Sequence, residues 1–124
     1  MDQKIAQTFI DEMWTTSIVP ELIEYIKIPN KSPDFDSQWA ENGYMDEAVS
    51  QIYDWSRAQE ITAMSIEIVR LDGRTPLIFM DIPAHAGATN SDTILMYGHL
   101  DKQPEMTGWS EGFGPWVPVI EDEK

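Results

Sequence analysis

Apolar side chains recur at helical spacing near the start of the chain. Ile5, Phe9 and Met13 follow one another at four-residue steps, which is typical of an amphipathic helix over residues 2–16. Polar residues then interrupt the pattern, and Pro20 suits the first turn of a second helical segment, where no backbone N–H is needed. One kinked helix and two separate helices both fit this pattern. In either case the apolar stripe is expected to pack on a sheet.

Residues 44–59 form the clearest amphipathic helix in the sequence. Met45, Ala48, Val49 and Ile52 recur at steps of three and four residues, which predicts a helix with one buried face. The preceding residues, 28–43, are rich in proline, asparagine and aspartate, and therefore predict a loop. Its two aromatic residues are expected to anchor that loop to the core; they are Phe35 and Trp39.

Strand patterns occupy the rest of the central region. Apolar and polar residues alternate over residues 64–69, and an Asp72-Gly73 turn signal separates them from the apolar residues 77–80, so a hairpin is predicted. Residues 94–97 are all apolar or aromatic, which predicts a strand buried on both faces. Helices combined with a hairpin and a buried strand predict an α/β fold, with helices packed on a mixed sheet. A last strand is predicted at residues 117–120, before a turn at residues 121–123.

Two chemically active side chains follow the predicted buried strand. His99 and Asp101 are two residues apart, so in extended backbone they project to the same side. A carboxylate that accepts one ring N–H of a histidine fixes its tautomer and leaves the other nitrogen as a metal donor. A loop histidine bonded to a neighbouring carboxylate fits the spacing equally well. The only other histidine, His85, is predicted to be a solvated residue of a surface loop, with a metal role as the less favoured alternative.

Composition narrows the function classes. The 124 residues include 8 basic and 22 acidic side chains, a formal charge of −14, which repels nucleic acid and anionic membranes. The absence of cysteine excludes disulfides and thiolate metal sites, so a metal would need histidine and carboxylate ligands, which suit zinc, manganese or cobalt. The sequence shows no signal peptide and no apolar run long enough to span a membrane, so a cytoplasmic location is expected.

Three segments carry a resemblance to a known family. Residues 97–104 (Tyr-Gly-His-Leu-Asp-Lys-Gln-Pro), followed by Trp109 and by Gly-Pro-Trp-Val-Pro at 114–118, resemble the first metal-binding motif of the M20 family. Ile-Pro-Asn-Lys-Ser-Pro at residues 28–33 and the order of elements extend the resemblance over nearly the whole chain. Members of this family are dinuclear zinc peptidases and amidohydrolases, such as carnosinase-type dipeptidases and carboxypeptidase G.

The resemblance implies specific roles and a specific gap. It assigns His99 as a ligand of one of two divalent metals and Asp101 as the catalytic-site residue that holds the imidazole. It also implies a small peptide or amide substrate and a homodimer formed through a separate smaller domain. The family's Gly-Arg-Gly segment, bridging aspartate, paired glutamates and remaining ligands have no counterpart in the sequence. We therefore expect residues 1–124 to be the N-terminal portion of a truncated catalytic domain, with no second domain and no activity alone. The alternative is a small acidic binding or assembly module without catalysis.

Overall fold

The chain combines helices with a two-stranded antiparallel sheet. The computed structural model describes residues 2–85, 87–89 and 92–121. Their elements are α1 (Gln3–Met13), α2 (Val19–Lys27), α3 (Trp39–Asn42), α4 (Tyr44–Arg57), β1 (Ser65–Val69) and β2 (Leu77–Asp81). The general α/β class is thereby confirmed. None of the helices in these ranges has both the length and the apolar character needed to cross a membrane.

Chain contacts define two compact units. The first contains Met1–Pro29 and Pro104–Lys124, and the second contains Asn30–Gln103. The strands, the longest helix and both histidines belong to the second unit.

The first unit opens with an uninterrupted helical stretch. Asp2 caps it, because its carboxylate accepts hydrogen bonds from the backbone N–H groups of Lys4 at 2.8 Å and Ile5 at 3.3 Å. A π-helical turn, Trp14–Ile18, joins α1 to α2. Pro20 lies in the first turn of α2, and the wider π turn just before it accommodates a ring that would otherwise crowd the preceding carbonyl. Of the two arrangements that fit the sequence, the structure has the single helical stretch.

The apolar stripe of this stretch is covered only in part: Ile23 and Ile26 of α2 are half-buried, and the α1 part is largely exposed. Neither α1 nor α2 contains a buried residue, and Ile5, Phe9 and Trp14 are all more than half exposed. The expectation that the stripe packs on a sheet is therefore wrong for this unit. The physical reason is that the described part of the unit has no strand to receive it.

The C-terminal segment of the first unit is largely irregular. The strand predicted at residues 117–120 is absent, and the segment has one isolated antiparallel bridge between Gly114 and Val117. The N–H of Val117 donates to the carbonyl of Gly114 at 3.3 Å, which closes a local turn in place of a strand pairing. Most of the turn predicted at residues 121–123 lies outside the described residues.

The second unit has its core along α4. Its buried positions include Met45, Ala48 and Val49, which confirms the predicted amphipathic face; Val49 is only 1% exposed. In the preceding loop, Trp39 is half-buried, but Phe35 is exposed and does not anchor the loop as expected.

The predicted hairpin is also confirmed. β1 pairs antiparallel with β2, with Ile68 opposite Ile78. The connection contains a turn closed by the N–H of Arg74 donating to the carbonyl of Leu71 at 3.1 Å. Gly73 adopts a φ of +67° there, a conformation that glycine accepts without steric cost. Both strands pack against α4, so helix and hairpin together form the framework beside the candidate site.

The predicted buried strand at residues 94–97 is wrong in this structure. These four residues have no strand assignment, and their exposed fractions are 87%, 91%, 87% and 88%. Among the described residues, β1 and β2 pair only with each other, so no neighbouring strand holds the backbone of residues 94–97. For the same reason the described sheet is antiparallel and not mixed.

Candidate functional site

His99 and Asp101 contact each other in the second unit. The Nδ1 atom of His99 lies 3.2 Å from Oδ1 of Asp101 and 3.1 Å from the backbone carbonyl oxygen of the same residue. Both oxygens are acceptors, so this geometry requires the proton on Nδ1 and leaves the lone pair on Nε2. The spacing of two residues thus places the two side chains together, as the sequence predicts.

The contact orients the imidazole more than it stabilises the fold. The side chain of His99 is 63% exposed and that of Asp101 is 34% exposed. Pairs as accessible as this one contribute only about 0–1 kcal/mol to stability, because water screens the attraction. The consequence of the contact is therefore chemical: Nδ1 is engaged, and the lone pair of Nε2 can bind a metal or accept a proton from a substrate.

Asn30 holds the backbone around Asp101. Its side-chain amide donates to the backbone carbonyl of Leu100 at 2.7 Å. The backbone carbonyl of Asn30 accepts a hydrogen bond from the N–H of Lys102 at 2.9 Å. The N–H of Ser32 donates to the carbonyl of Lys102 at 2.9 Å, which completes a short parallel bridge between residues 31 and 102. The structure therefore joins two segments of the family resemblance, residues 30–32 and 100–102.

The sequence has no local signal for a buried, structure-holding role of Asn30. The side chain is 1% exposed, although asparagine within a proline-rich stretch normally indicates a surface loop. Its one available signal was membership of the 28–33 segment that carries part of the resemblance. Its contacts with residues 100 and 102 are tertiary, and no local pattern predicts them.

Among the described residues, Lys102 has a pKa that is clearly shifted by its surroundings. Burial lowers the pKa of its ammonium from 10.5 to about 8. Its backbone is fixed through both the N–H and the carbonyl, as described above. A lysine with this pKa is partly neutral near pH 8 and can then act as a hydrogen-bond acceptor as well as a donor.

An open cleft of about 570 Å³ lies beside the histidine within the second unit. Met45, Val49 and Ile52 of α4 line one side, and residues of β2 contribute further apolar surface. His99 and Asp101 also line the cleft, so an imidazole and a carboxylate meet a largely apolar wall. Apolar walls with a few convergent polar groups are typical of small-molecule sites.

The donor set for a metal is incomplete in this part of the chain. No three histidine, aspartate, glutamate or cysteine side chains within residues 2–85, 87–89 and 92–121 come together as a metal-binding group. Catalytic zinc sites use three protein ligands. The residues that are described thus fit one position of a metal site, the imidazole with its carboxylate partner, and do not by themselves form a zinc centre.

Comparisons with known proteins do not extend this picture. The chain matches no protein-family model and no curated protein. The M20 assignment therefore stays a prediction from the motifs.

Proposed function

We propose that this chain is the N-terminal portion of the catalytic domain of an M20-like metallopeptidase, a hydrolase of peptide or amide bonds. The observation that supports this most directly is the contact of Asp101 with Nδ1 of His99, which leaves Nε2 as the donor nitrogen. Metal-ligating histidines characteristically give their second ring N–H to a carboxylate or a carbonyl. Here both acceptors come from the same residue.

The proposed roles follow from this geometry. His99 is one metal ligand, through Nε2, and Asp101 holds the imidazole in the Nδ1–H tautomer and fixes the ring's direction. Two divalent ions, zinc or alternatively manganese or cobalt, would supply Lewis-acid polarisation of the scissile carbonyl and a bound water of lowered pKa. Of the two described histidines only His99 has a carboxylate partner of this kind, and the proposal assigns the other ligands and the general base to family segments that have no counterpart in residues 1–124. We therefore expect no appreciable hydrolysis by these residues alone.

The finer architecture belongs to the same proposal. In an M20-like catalytic domain the hairpin and residues 94–97 would be parts of one mixed sheet covered by helices. The apolar character of residues 94–97 supports this, since a four-residue apolar run normally requires a covering partner. The resemblance implies a small peptide or amide as the substrate. The charge of −14 disfavours nucleic acid and anionic membranes as partners.

The test uses the complete reading frame that contains these residues. The encoded protein, supplied with zinc, is assayed against a panel of dipeptides and N-acyl amino acids, in parallel with His99→Ala and His85→Ala. We expect hydrolysis that falls by at least about 10³-fold in His99→Ala, because loss of a metal ligand removes the reactive water. His85, in an exposed loop, should be dispensable. A protein without metal-dependent hydrolysis, or equal activity in the two variants, would contradict the proposal.

A small acidic binding or assembly module is the second candidate. The exposed apolar segment, residues 94–97, is the observation that favours it, because contiguous apolar surface commonly marks a protein–protein contact. This candidate predicts association without metal. Light scattering with and without a chelator separates the two: association unaffected by the chelator, together with no hydrolysis by the complete protein, favours the module.

A further inference from the structure

We propose that Asn30 is a positioning residue for the His99–Asp101 pair: it fixes the backbone on both sides of Asp101 and thereby holds the carboxylate against Nδ1 of His99. The catalytic consequence rests on the proposed function. The positioning itself is a property of this chain and does not depend on a metal.

The two hydrogen bonds of Asn30 bracket one residue. The Leu100 carbonyl that accepts from the Asn30 side chain belongs to the peptide group before Asp101. The Lys102 N–H that donates to the backbone carbonyl of Asn30 belongs to the peptide group after Asp101. Because the two backbone dihedrals of a residue set the relation between its flanking peptide planes, one asparagine restrains both dihedrals of Asp101.

The second of these peptide groups also contacts the imidazole. Its N–H donates to Asn30 at 2.9 Å, and its carbonyl, that of Asp101, lies 3.1 Å from Nδ1 of His99. The peptide between residues 101 and 102 therefore connects Asn30 to His99 directly. The Asp101 carboxylate, 3.2 Å from the same nitrogen, starts from the Cα that this peptide fixes. Loosening Asn30 would release both acceptors of the Nδ1 proton at once.

Packing alone does not account for an asparagine at this position. The side chain is 1% exposed, and among the described residues its Oδ1 accepts no hydrogen bond from the protein. A buried polar atom in this condition is destabilising, because it has lost its hydrogen bonds to water. An apolar residue of the same size would avoid that cost, so the contribution specific to asparagine is the Nδ2 donor to Leu100.

The test measures the tautomer of His99 in the 124-residue chain. Imidazole ¹⁵N shifts are recorded at about pH 8, above the ordinary histidine pKa of about 6.5, with His85 as the internal reference. Asn30→Asp keeps the shape and removes the donor, and Asn30→Ala removes the side chain. The matched control is Asn42→Asp, an exposed asparagine of the same unit whose side chain also donates, to Asp36.

We expect the parent chain and Asn42→Asp to show His99 predominantly as the Nδ1–H tautomer. In both Asn30 variants the Nδ1–H fraction should fall at least about two-fold while the shifts of His85 stay constant, since restrained acceptors alone hold that tautomer. Amide shifts of α4 report whether the fold is retained. An unchanged His99 tautomer in a variant with intact α4 would overturn the proposal.

A measurement on the parent chain keeps the inference testable if the variants unfold. The Lys102 amide and the Asn30 side-chain amide are expected to exchange with solvent at least about ten-fold more slowly than the amides of residues 94–97, which have no strand pairing. Equal exchange rates would overturn the proposal without any substitution. Neither experiment needs metal or substrate. Absence of hydrolysis by the complete protein would therefore contradict the proposed function without affecting the positioning role of Asn30.

Discussion

The side-chain amide of Asn30 donates to the carbonyl oxygen of Leu100 at 2.7 Å, across a sequence separation of 70 residues. Asn30 is buried, and this bond holds it beside Asp101, the residue that contacts His99. The candidate site is therefore built from two short segments that lie far apart in the chain: one supplies the imidazole and its carboxylate, and the other restrains the backbone between them.

Substitution of Asp101 should change the chemistry of His99 and leave stability nearly unchanged. In Asp101→Ala the carboxylate acceptor is lost and only the backbone carbonyl at 3.1 Å remains, so the Nδ1–H tautomer of His99 should become less populated. The free energy of unfolding should fall by less than about 1 kcal/mol, because the pair is solvent-exposed. Imidazole ¹⁵N shifts and urea unfolding measure the two effects. Asp54→Ala, an exposed carboxylate on α4, is the control for the tautomer; a loss well above 1 kcal/mol in Asp101→Ala would show that the contact is structural.

The lowered pKa of Lys102 should make the stability of the fold depend on pH, with a defined sign. Burial lowers its pKa from 10.5 to about 8, so between these values the unfolded chain holds a proton that the folded chain has released. Stability should therefore gain a contribution that grows as the pH rises from about 8 to 10.5. In Lys102→Met that contribution disappears, and the variant should be the more stable of the two below pH 8, where the parent keeps a partly desolvated charge. Urea unfolding across this range measures the difference between the two proteins; parallel pH profiles would contradict the prediction.

Replacing Gly73 should destabilise the fold through its backbone conformation. Its φ of +67° lies in the left-handed region, so Gly73→Ala should lower the free energy of unfolding by about 1–2 kcal/mol. No atom lies within 4 Å of the position that a Cβ would take, so the cost comes from the dihedral and not from a clash. Gly98→Ala is the matched control, because Gly98 has equal space and no positive φ. Urea unfolding compares them. Equal effects of the two substitutions would exclude the backbone explanation.

The exposed apolar residues 94–97 should tolerate substitution by a charged residue without loss of stability. Leu95 is 91% exposed, so Leu95→Lys should change the free energy of unfolding by less than about 0.5 kcal/mol. Val49→Ala should cost about 1–3 kcal/mol, because Val49 is fully buried on α4. Urea unfolding of both variants makes the comparison. A large loss of unfolding free energy in Leu95→Lys would instead show that residues 94–97 are buried, as the sequence predicts.

The elements that depend on local patterns could be predicted from the sequence. α4 follows from apolar residues at three- and four-residue steps, and the hairpin follows from alternation on either side of Asp72 and Gly73. The His99–Asp101 contact belongs to the same class, because two residues of separation suffice to bring the side chains together.

Features that need a distant partner could not be predicted. Residues 94–97 have the composition of a buried strand, but a strand exists only when a neighbour satisfies its backbone hydrogen bonds, and among the described residues none does. The stripe of α1 is apolar for the same pattern-based reason and is equally uncovered. Asn30 shows the converse: its burial and its bond to Leu100 arise from chain packing over 70 residues and leave no local trace.

The most direct test of the central claim is a zinc titration of the 124-residue chain, followed by imidazole ¹⁵N NMR. If Asp101 holds the proton on Nδ1, zinc should perturb Nε2 of His99 first, at a concentration at least about ten-fold below that which affects His85, and Asp101→Ala should remove this preference. Binding will be weak, since one imidazole is far short of a full ligand set. Equal perturbation of the two histidines, or perturbation of His99 through Nδ1, would contradict the assignment of His99 as an oriented metal ligand.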